Sequence, residues 1–100
     1  MGKLYYLSLS GNKLSGYIPT KIRRLSELQN LDLAANNLDG PIPREVSECA
    51  KLLNLSLGEN LLIGSIPVEI SKLKSLESLD LGNNMLTGEI PQEIGGMQML

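Results

Sequence analysis

Few side chains in this 100-residue sequence have the type and spacing for chemistry. There is no histidine, which removes the usual general base near neutral pH and the commonest zinc ligand. Cys49 is the only cysteine, so it forms neither an intrachain disulfide nor a cysteine-cluster metal site. No base or cation is fixed beside it by the pattern, so a small buried hydrophobe is expected rather than a reactive thiol. Asp32 and Asp80 are the one pair of carboxylates that invites an acid–base reading. They recur at one slot, two periods apart, which is roughly 10 Å on parallel strands about 4.8 Å from each other. Glycosidase carboxylates lie up to about 9.5 Å apart, yet an open surface desolvates neither acid, and no catalysis is expected. Asn54-Leu55-Ser56 is the only N-glycosylation sequon. The glycines recur at a fixed period rather than in a phosphate-binding loop, so no nucleotide or other cofactor is implied.

Composition narrows the class further. Charged residues make up 20% and hydrophobic ones 42%, which excludes a disordered polar tail. The net charge of −2 argues against nucleic acid, whose binders need a basic stripe. The longest run of branched aliphatic residues is Leu61-Leu62-Ile63, so this segment does not insert in a bilayer. The start, Met1-Gly2-Lys3-Leu4-Tyr5-Tyr6, lacks the apolar core of a secretion signal. Phe and Trp are absent and leucine contributes 21 residues, so aliphatic side chains must fill any core.

The organising feature is a 24-residue period. Leucines recur at Leu4, Leu7 and Leu9; Leu28, Leu31 and Leu33; Leu52, Leu55 and Leu57; Leu76, Leu79 and Leu81. Asn12, Asn36, Asn60 and Asn84 follow, then Leu14, Leu38, Leu62 and Leu86, then Gly16, Gly40, Gly64 and Gly88. Ile-Pro pairs come next at 18–19, 42–43, 66–67 and 90–91, and Ile22, Val46, Ile70 and Ile94 close the pattern. All 36 tests, nine positions in each of four lines, are met without a gap. The repeats are 4–27, 28–51, 52–75 and 76–99. Met1, Leu25, Cys49, Leu73 and Met97 share one further inward slot, and Leu100 opens an unfinished line.

Each position has a physical reason. Leu-x-x-Leu-x-Leu alternates toward its end like a short strand that cannot bury its leucines alone. Stacked on copies of itself it makes a parallel sheet and a continuous aliphatic core. An asparagine amide, both donor and acceptor, can satisfy backbone groups of its own coil and the next, giving a ladder of Asn12, Asn36, Asn60 and Asn84. Glycine fits unusual dihedrals, and proline forces an extended residue before it and starts a turn. A short 3₁₀ or α turn is expected on the outer side. The outward strand positions are then Tyr6, Asn30, Asn54 and Ser78, followed by Ser8, Asp32, Ser56 and Asp80. Ser10, Ala34, Gly58 and Gly82 come next, then Gly11, Ala35, Glu59 and Asn83. This face is polar, mildly acidic and free of Lys and Arg. It suits a peptide, a glycan or a protein, with Tyr6, Ser8, Asn30, Asp32, Asn54, Ser56, Glu59, Ser78, Asp80 and Asn83 as candidate contacts. A glycan on Asn54 would crowd it. Tyr5, Tyr6 and Tyr17 either anchor a partner or cover an end of the core. Lys21, Arg23, Arg24, Arg44, Glu45 and Glu48 read as a solvated outer face.

The pattern L-x-x-L-x-L-x-x-N-x-L-x-G-x-I-P-x-x-[IV]-x-x-[apolar] resembles the plant-specific class of extracellular leucine-rich repeats over essentially the whole chain. The resemblance implies an α/β-class solenoid, a right-handed superhelix with short parallel strands on the concave face and 3₁₀ or α turns on the convex face. It further implies an extracellular or cell-surface location at the plasma membrane. The implied role is non-catalytic: part of a receptor-like kinase or receptor-like protein ectodomain, in signalling or defence, binding a peptide or protein ligand and a co-receptor. An inhibitor of a cell-wall-degrading enzyme such as polygalacturonase and an ice-binding protein are the alternatives within the class. The ice reading fits poorly, because Tyr6, Asn30, Asn54 and Ser78 do not form a uniform column. The chain departs from complete members of the class in having no cysteine-paired caps, signal peptide, transmembrane helix or kinase sequence, and its register runs off both ends. A piece of a longer array, without a function of its own and marginally stable at its uncapped ends, is therefore a further expectation.

Overall fold

Equivalent segments 24 residues apart should lie side by side, each offering leucines to the same interior. The computed structural model describes residues 3–88 and the backbone of 98–99. In chain order its strands are β1 (Tyr6–Ser8), β2 (Ser15–Tyr17), β3 (Asn30–Asp32) and β4 (Asn37–Gly40). They continue as β5 (Asn54–Ser56), β6 (Leu61–Ser65), β7 (Ser78–Asp80), β8 (Met85–Thr87) and β9 (Gln98–Met99). Three 3₁₀ turns intervene: η1 (Thr20–Arg24), η2 (Arg44–Glu48) and η3 (Val68–Lys72). The odd strands form one parallel sheet in the order β1-β3-β5-β7-β9, and the even strands a second, β2-β4-β6-β8. This is the leucine-rich repeat solenoid that the period implies.

The first sheet keeps equivalent residues together, so that Leu7, Leu31, Leu55 and Leu79 pair across neighbouring strands. The pairing of Ser78 with Gln98 and Leu79 with Met99 departs from the 24-residue spacing. The second sheet was not legible in the pattern. Its partners are staggered: Ser15 faces Asn37, Asp39 faces Leu61 and Ile63 faces Met85. The side-chain Oδ1 of Asn36 accepts from the Leu14 N–H at 3.1 Å. Asn60 does the same for Leu38 at 3.1 Å and Asn84 for Leu62 at 3.0 Å, so the amide extends the backbone ladder at the stagger.

The interior holds one aliphatic cluster. Leu28, Leu52, Leu57 and Leu62 are fully buried, with Leu31, Leu55 and Leu79 at 1% exposure. Burying such a side chain is worth roughly 1.5–3 kcal/mol, and each coil shares its leucines with both neighbours. Leu4, Leu9 and Leu14 of the first coil are 39–43% exposed. Each outer turn opens on an extended proline, such as Pro43 at φ −73°, ψ 139°. Val46 N–H then donates to Pro43, Cys49 to Val46 and Leu52 to Cys49, each at 3.1 Å. This run of three-residue bonds settles the turn as 3₁₀ and carries the chain back to the next strand. Gly16, Gly40, Gly64 and Gly88 all have φ between +73° and +87°, the left-handed region that explains the recurring glycine. Ile90, Pro91, Ile94, Met97 and Leu100, together with Met1, lie outside the described residues.

Candidate functional site

Alternation along the strands turns leucine inward and leaves the intervening polar side chains on the open face. A cavity of about 340 Å³ lies there, lined by Tyr6, Asn30, Asp32, Asn54, Ser56, Ser78 and Asp80 along with the backbone-bearing leucines between them. Seven of the ten expected contact residues are thus brought together. Within the cavity Ser78 Oγ donates to Asn54 Oδ1 at 2.6 Å, and Asn54 Nδ2 donates to Asn30 Oδ1 at 3.0 Å. Three strands are therefore tied by side chains as well as by backbone.

The other three stand apart. Ser8 is at the margin, where its Oγ is 3.4 Å from Asp32 Oδ2 and 3.5 Å from Ser10 Oγ. Glu59 and Asn83 do not line the cavity. They have φ of +54° and +56°, and this left-handed bend carries the chain out of the sheet, so the inward–outward alternation ends before them. Ala35 shares the bend at +57° and Gly11 at +72°.

Asp32 and Asp80 each make a local bond to their own strand end. Asp32 Oδ1 accepts from the Ala34 N–H at 3.1 Å, and Asp80 Oδ1 from the Gly82 N–H at 3.0 Å. Each carboxylate caps its own strand end, a local bond that aspartate makes readily. Gly58 seats Asp80, since a Cβ at Gly58 would come within 2.9 Å of Asp80 Oδ1. The signal for this was present in the sequence: Ser10, Ala34, Gly58 and Gly82 are all small. No group of three His, Cys, Asp or Glu residues able to hold a metal ion occurs among the described residues.

The asparagine column sits at the edge of the core. Asn60 Nδ2 donates to Leu33, Leu57 and Gly58 carbonyls at 3.0–3.1 Å. Asn36 and Asn84 repeat the arrangement on Leu9 and Leu57 of the coil before. The expectation that each amide reaches the following coil is thus corrected: it reaches the preceding one, because the chain turns back toward that coil after the strand. The amides bond backbone, not one another. Asn12 is exposed and donates only within its own coil, to Leu9 and Ser10.

Cys49 is fully buried, and its Sγ donates to the Ile22 carbonyl at 3.3 Å. Burial, with the nearby Glu48 carboxylate, raises its pKa above the usual thiol range, opposite to the shift that activates a nucleophile. Tyr5 and Tyr6 are exposed, and the Tyr17 ring lies against Gly40. On the outer face Arg44, Ser47, Glu48, Glu69 and Lys72 line an open depression of about 410 Å³. Lys51 Nζ and Glu27 Oε1 pair at 2.8 Å. No helix among the described residues is long and apolar enough to cross a membrane.

A stacked solenoid with one polar sheet face is a repeat-built scaffold of the kind that carries binding surfaces. The chain belongs to the Leucine Rich Repeat family, whose pattern matches residues 3–25, 27–49 and 75–97. The third coil escapes that match although its strand pairs in the same register. A search of curated proteins found no match. Among solved structures, the BIR3–SERK2 complex from Arabidopsis thaliana is 44% identical at a TM-score of 0.89, over 95% of this chain and 53% of that one. The ectodomain of the Arabidopsis plant membrane receptor kinase GASSHO1/SCHENGEN3, in complex with CASPARIAN STRIP INTEGRITY FACTOR 2, is 43% identical at 0.91, over 96% of this chain and 12% of that one. A plant ice-binding protein is 38% identical at 0.87, over 93% of this chain and 30% of that one. The chain therefore spans about half or less of the length of each of these relatives.

Proposed function

We propose that this array is a non-catalytic binding segment of a plant receptor-like kinase or receptor-like protein ectodomain, acting at the cell surface in signalling or defence. Its ligand is a peptide or protein segment laid across the concave strands, with a co-receptor as a second partner. The observation that carries this reading is the concave cavity, whose side chains are held by strand pairing and by the bonds from Ser78 through Asn54 to Asn30. A surface fixed before binding spends less of its contact energy on ordering itself. Identity of 43% to the LRR ectodomain of a plant membrane receptor kinase over 96% of this chain supports the same reading.

The experiment is a binding screen of the purified chain against secreted plant peptides, followed by Ser56→Trp in the cavity and Lys72→Trp on the outer face. Loss of binding with the first and retention with the second is expected. Binding that survives Ser56→Trp but not Lys72→Trp would overturn the assignment of the concave face. The ice-binding relative motivates a second reading, decided by thermal hysteresis. None is expected, because the strand-face column of Tyr6, Asn30, Asn54 and Ser78 changes shape and chemistry at each step.

A further inference from the structure

Resting on the reading of the concave face as a peptide-binding surface, we infer that this surface is polarised along the solenoid axis. It takes a hydrogen-bond acceptor of the peptide over β3 and a basic group of the peptide over β7.

The polarity comes from the direction of two side-chain bonds. Ser78 Oγ gives its proton to Asn54 Oδ1, and Asn54 Nδ2 gives one to Asn30 Oδ1. Both bonds run the same way. At the β7 end Ser78 has spent its only donor, so it offers lone pairs. At the β3 end Asn30 keeps its NH₂ group, for which no protein acceptor exists among the described residues. The exposed Tyr6 pairs with Asn30 in the strand register and lines the same cavity.

The second row has the same sense. Asp32 Oδ1 accepts from the Ala34 N–H, and Ser8 Oγ stands 3.4 Å from Oδ2. Among the described residues, Asp80 accepts at Oδ1 alone. Its Oδ2 has no partner among the described residues, and the carboxylate rests over Gly58, where a Cβ would lie 3.1 Å from Oδ2. Strand β7 therefore carries the acceptors with the fewest partners among the described residues, whereas the open donor Asn30 Nδ2 lies on β3. No Lys or Arg lines the cavity, so a cation at Asp80 would be the ligand's. An arginine or lysine side chain on Asp80 would make a charge-assisted bond. From β3 to β7 is two strand steps, about 10 Å, which an extended peptide covers in about three residues. The ligand is thus a short extended segment with a basic residue at one end of a three-residue span and an open carbonyl or carboxylate at the other.

The test is a nitrogen-15 NMR titration of the chain with N-acetyl-Arg-Gly-Gly-Gly bearing a free carboxylate. Its citrulline analogue, which is neutral but similar in shape, and its C-terminal amide are the controls. Citrulline in place of arginine should weaken binding at least fivefold and remove the shifts at Ser78 and Asp80. The amide should alter mainly the Asn30 side-chain signals. Asp80→Asn, which keeps an oxygen for the Gly82 N–H, should weaken binding at least fivefold. Asp32→Asn should change it less than twofold. Equal effects of the two substitutions, or arginine-dependent shifts centred on β3, would overturn the polarity while leaving the concave face as a peptide site. If no concave signal moves with any of the peptides, both readings fall. The citrulline comparison uses the unmutated protein and stands even if a variant folds poorly.

Discussion

Asn60 shows how much one side chain does in this structure. Its amide holds three carbonyls and one N–H across two coils. Removing it strands buried groups that each cost about 1–3 kcal/mol unpaired. Asn60→Ala should therefore destabilise by roughly 3 kcal/mol or more, whereas Asn12→Ala, at the exposed first coil, should cost about 1 kcal/mol or less. Urea unfolding of both variants measures the difference. Asn60→Asp keeps the acceptor for Leu38 but presents oxygen to three carbonyls, so it should destabilise as well, and more so once ionised. Cys49 provides a second residue-scale prediction. Its thiol should resist iodoacetamide in the native protein and react freely in urea. Because its pKa is raised on folding, the folded form holds the proton more tightly. Its contribution to stability is complete below the ordinary thiol range and is lost as pH rises through the folded value. That an asparagine belonged at this slot was legible from the period. Which coil it reached was not, since direction along the stack leaves no trace in a repeating pattern.

At the scale of elements, the first sheet, the core leucines and the outer turns follow from the spacing. Leucine needs a partner coil, and proline three residues before Val46 or Ile70 sets up a 3₁₀ turn. The second sheet was missed for a physical reason. Segments such as Ser15–Tyr17 and Asn37–Gly40 carry glycine and polar residues of low strand propensity, and what pairs them is the staggered ladder fixed by the asparagines. Glu59 and Asn83 fall outside the cavity for a related reason, because two-residue alternation holds only while the backbone stays extended. The glycine in these segments supports a sharp prediction. Gly40 has φ +73°, and a Cβ there would lie 2.5 Å from the Tyr17 ring. Gly40→Ala should destabilise by about 1–3 kcal/mol, and Tyr17→Ala in the same chain should recover only the steric part. Thermal melts of the single and double variants separate the two terms.

At the scale of the whole molecule, stability is a sum over coils and their interfaces. Among the described residues, Leu4, Leu9 and Leu14 are more exposed than their equivalents Leu28, Leu33 and Leu38 in the second coil. Charge adds little, and its sign is fixed by the Lys51–Glu27 pair. The hydrogen bond from Lys51 holds Glu27 below the usual carboxylate range, and Glu27 holds Lys51 above the usual lysine range. The acid side of the pair is complete above the ordinary glutamate pKa and is lost as pH falls through the lower folded value. The basic side is complete below the ordinary lysine pKa and is lost as pH rises through the higher folded value. Lys51→Met should leave mid-pH stability nearly unchanged, since surface pairs contribute little, and should flatten the acid limb of a pH titration of the melting temperature.

The most direct test of the stacked-coil account is hydrogen exchange of the asparagine side-chain NH₂ groups, followed by NMR in the intact chain. Asn36, Asn60 and Asn84 should be protected and should lose protection together, while Asn12 exchanges at close to the free-amide rate. Four equal, unprotected side chains would mean that the coils are not joined as described and that the concave surface they support does not exist.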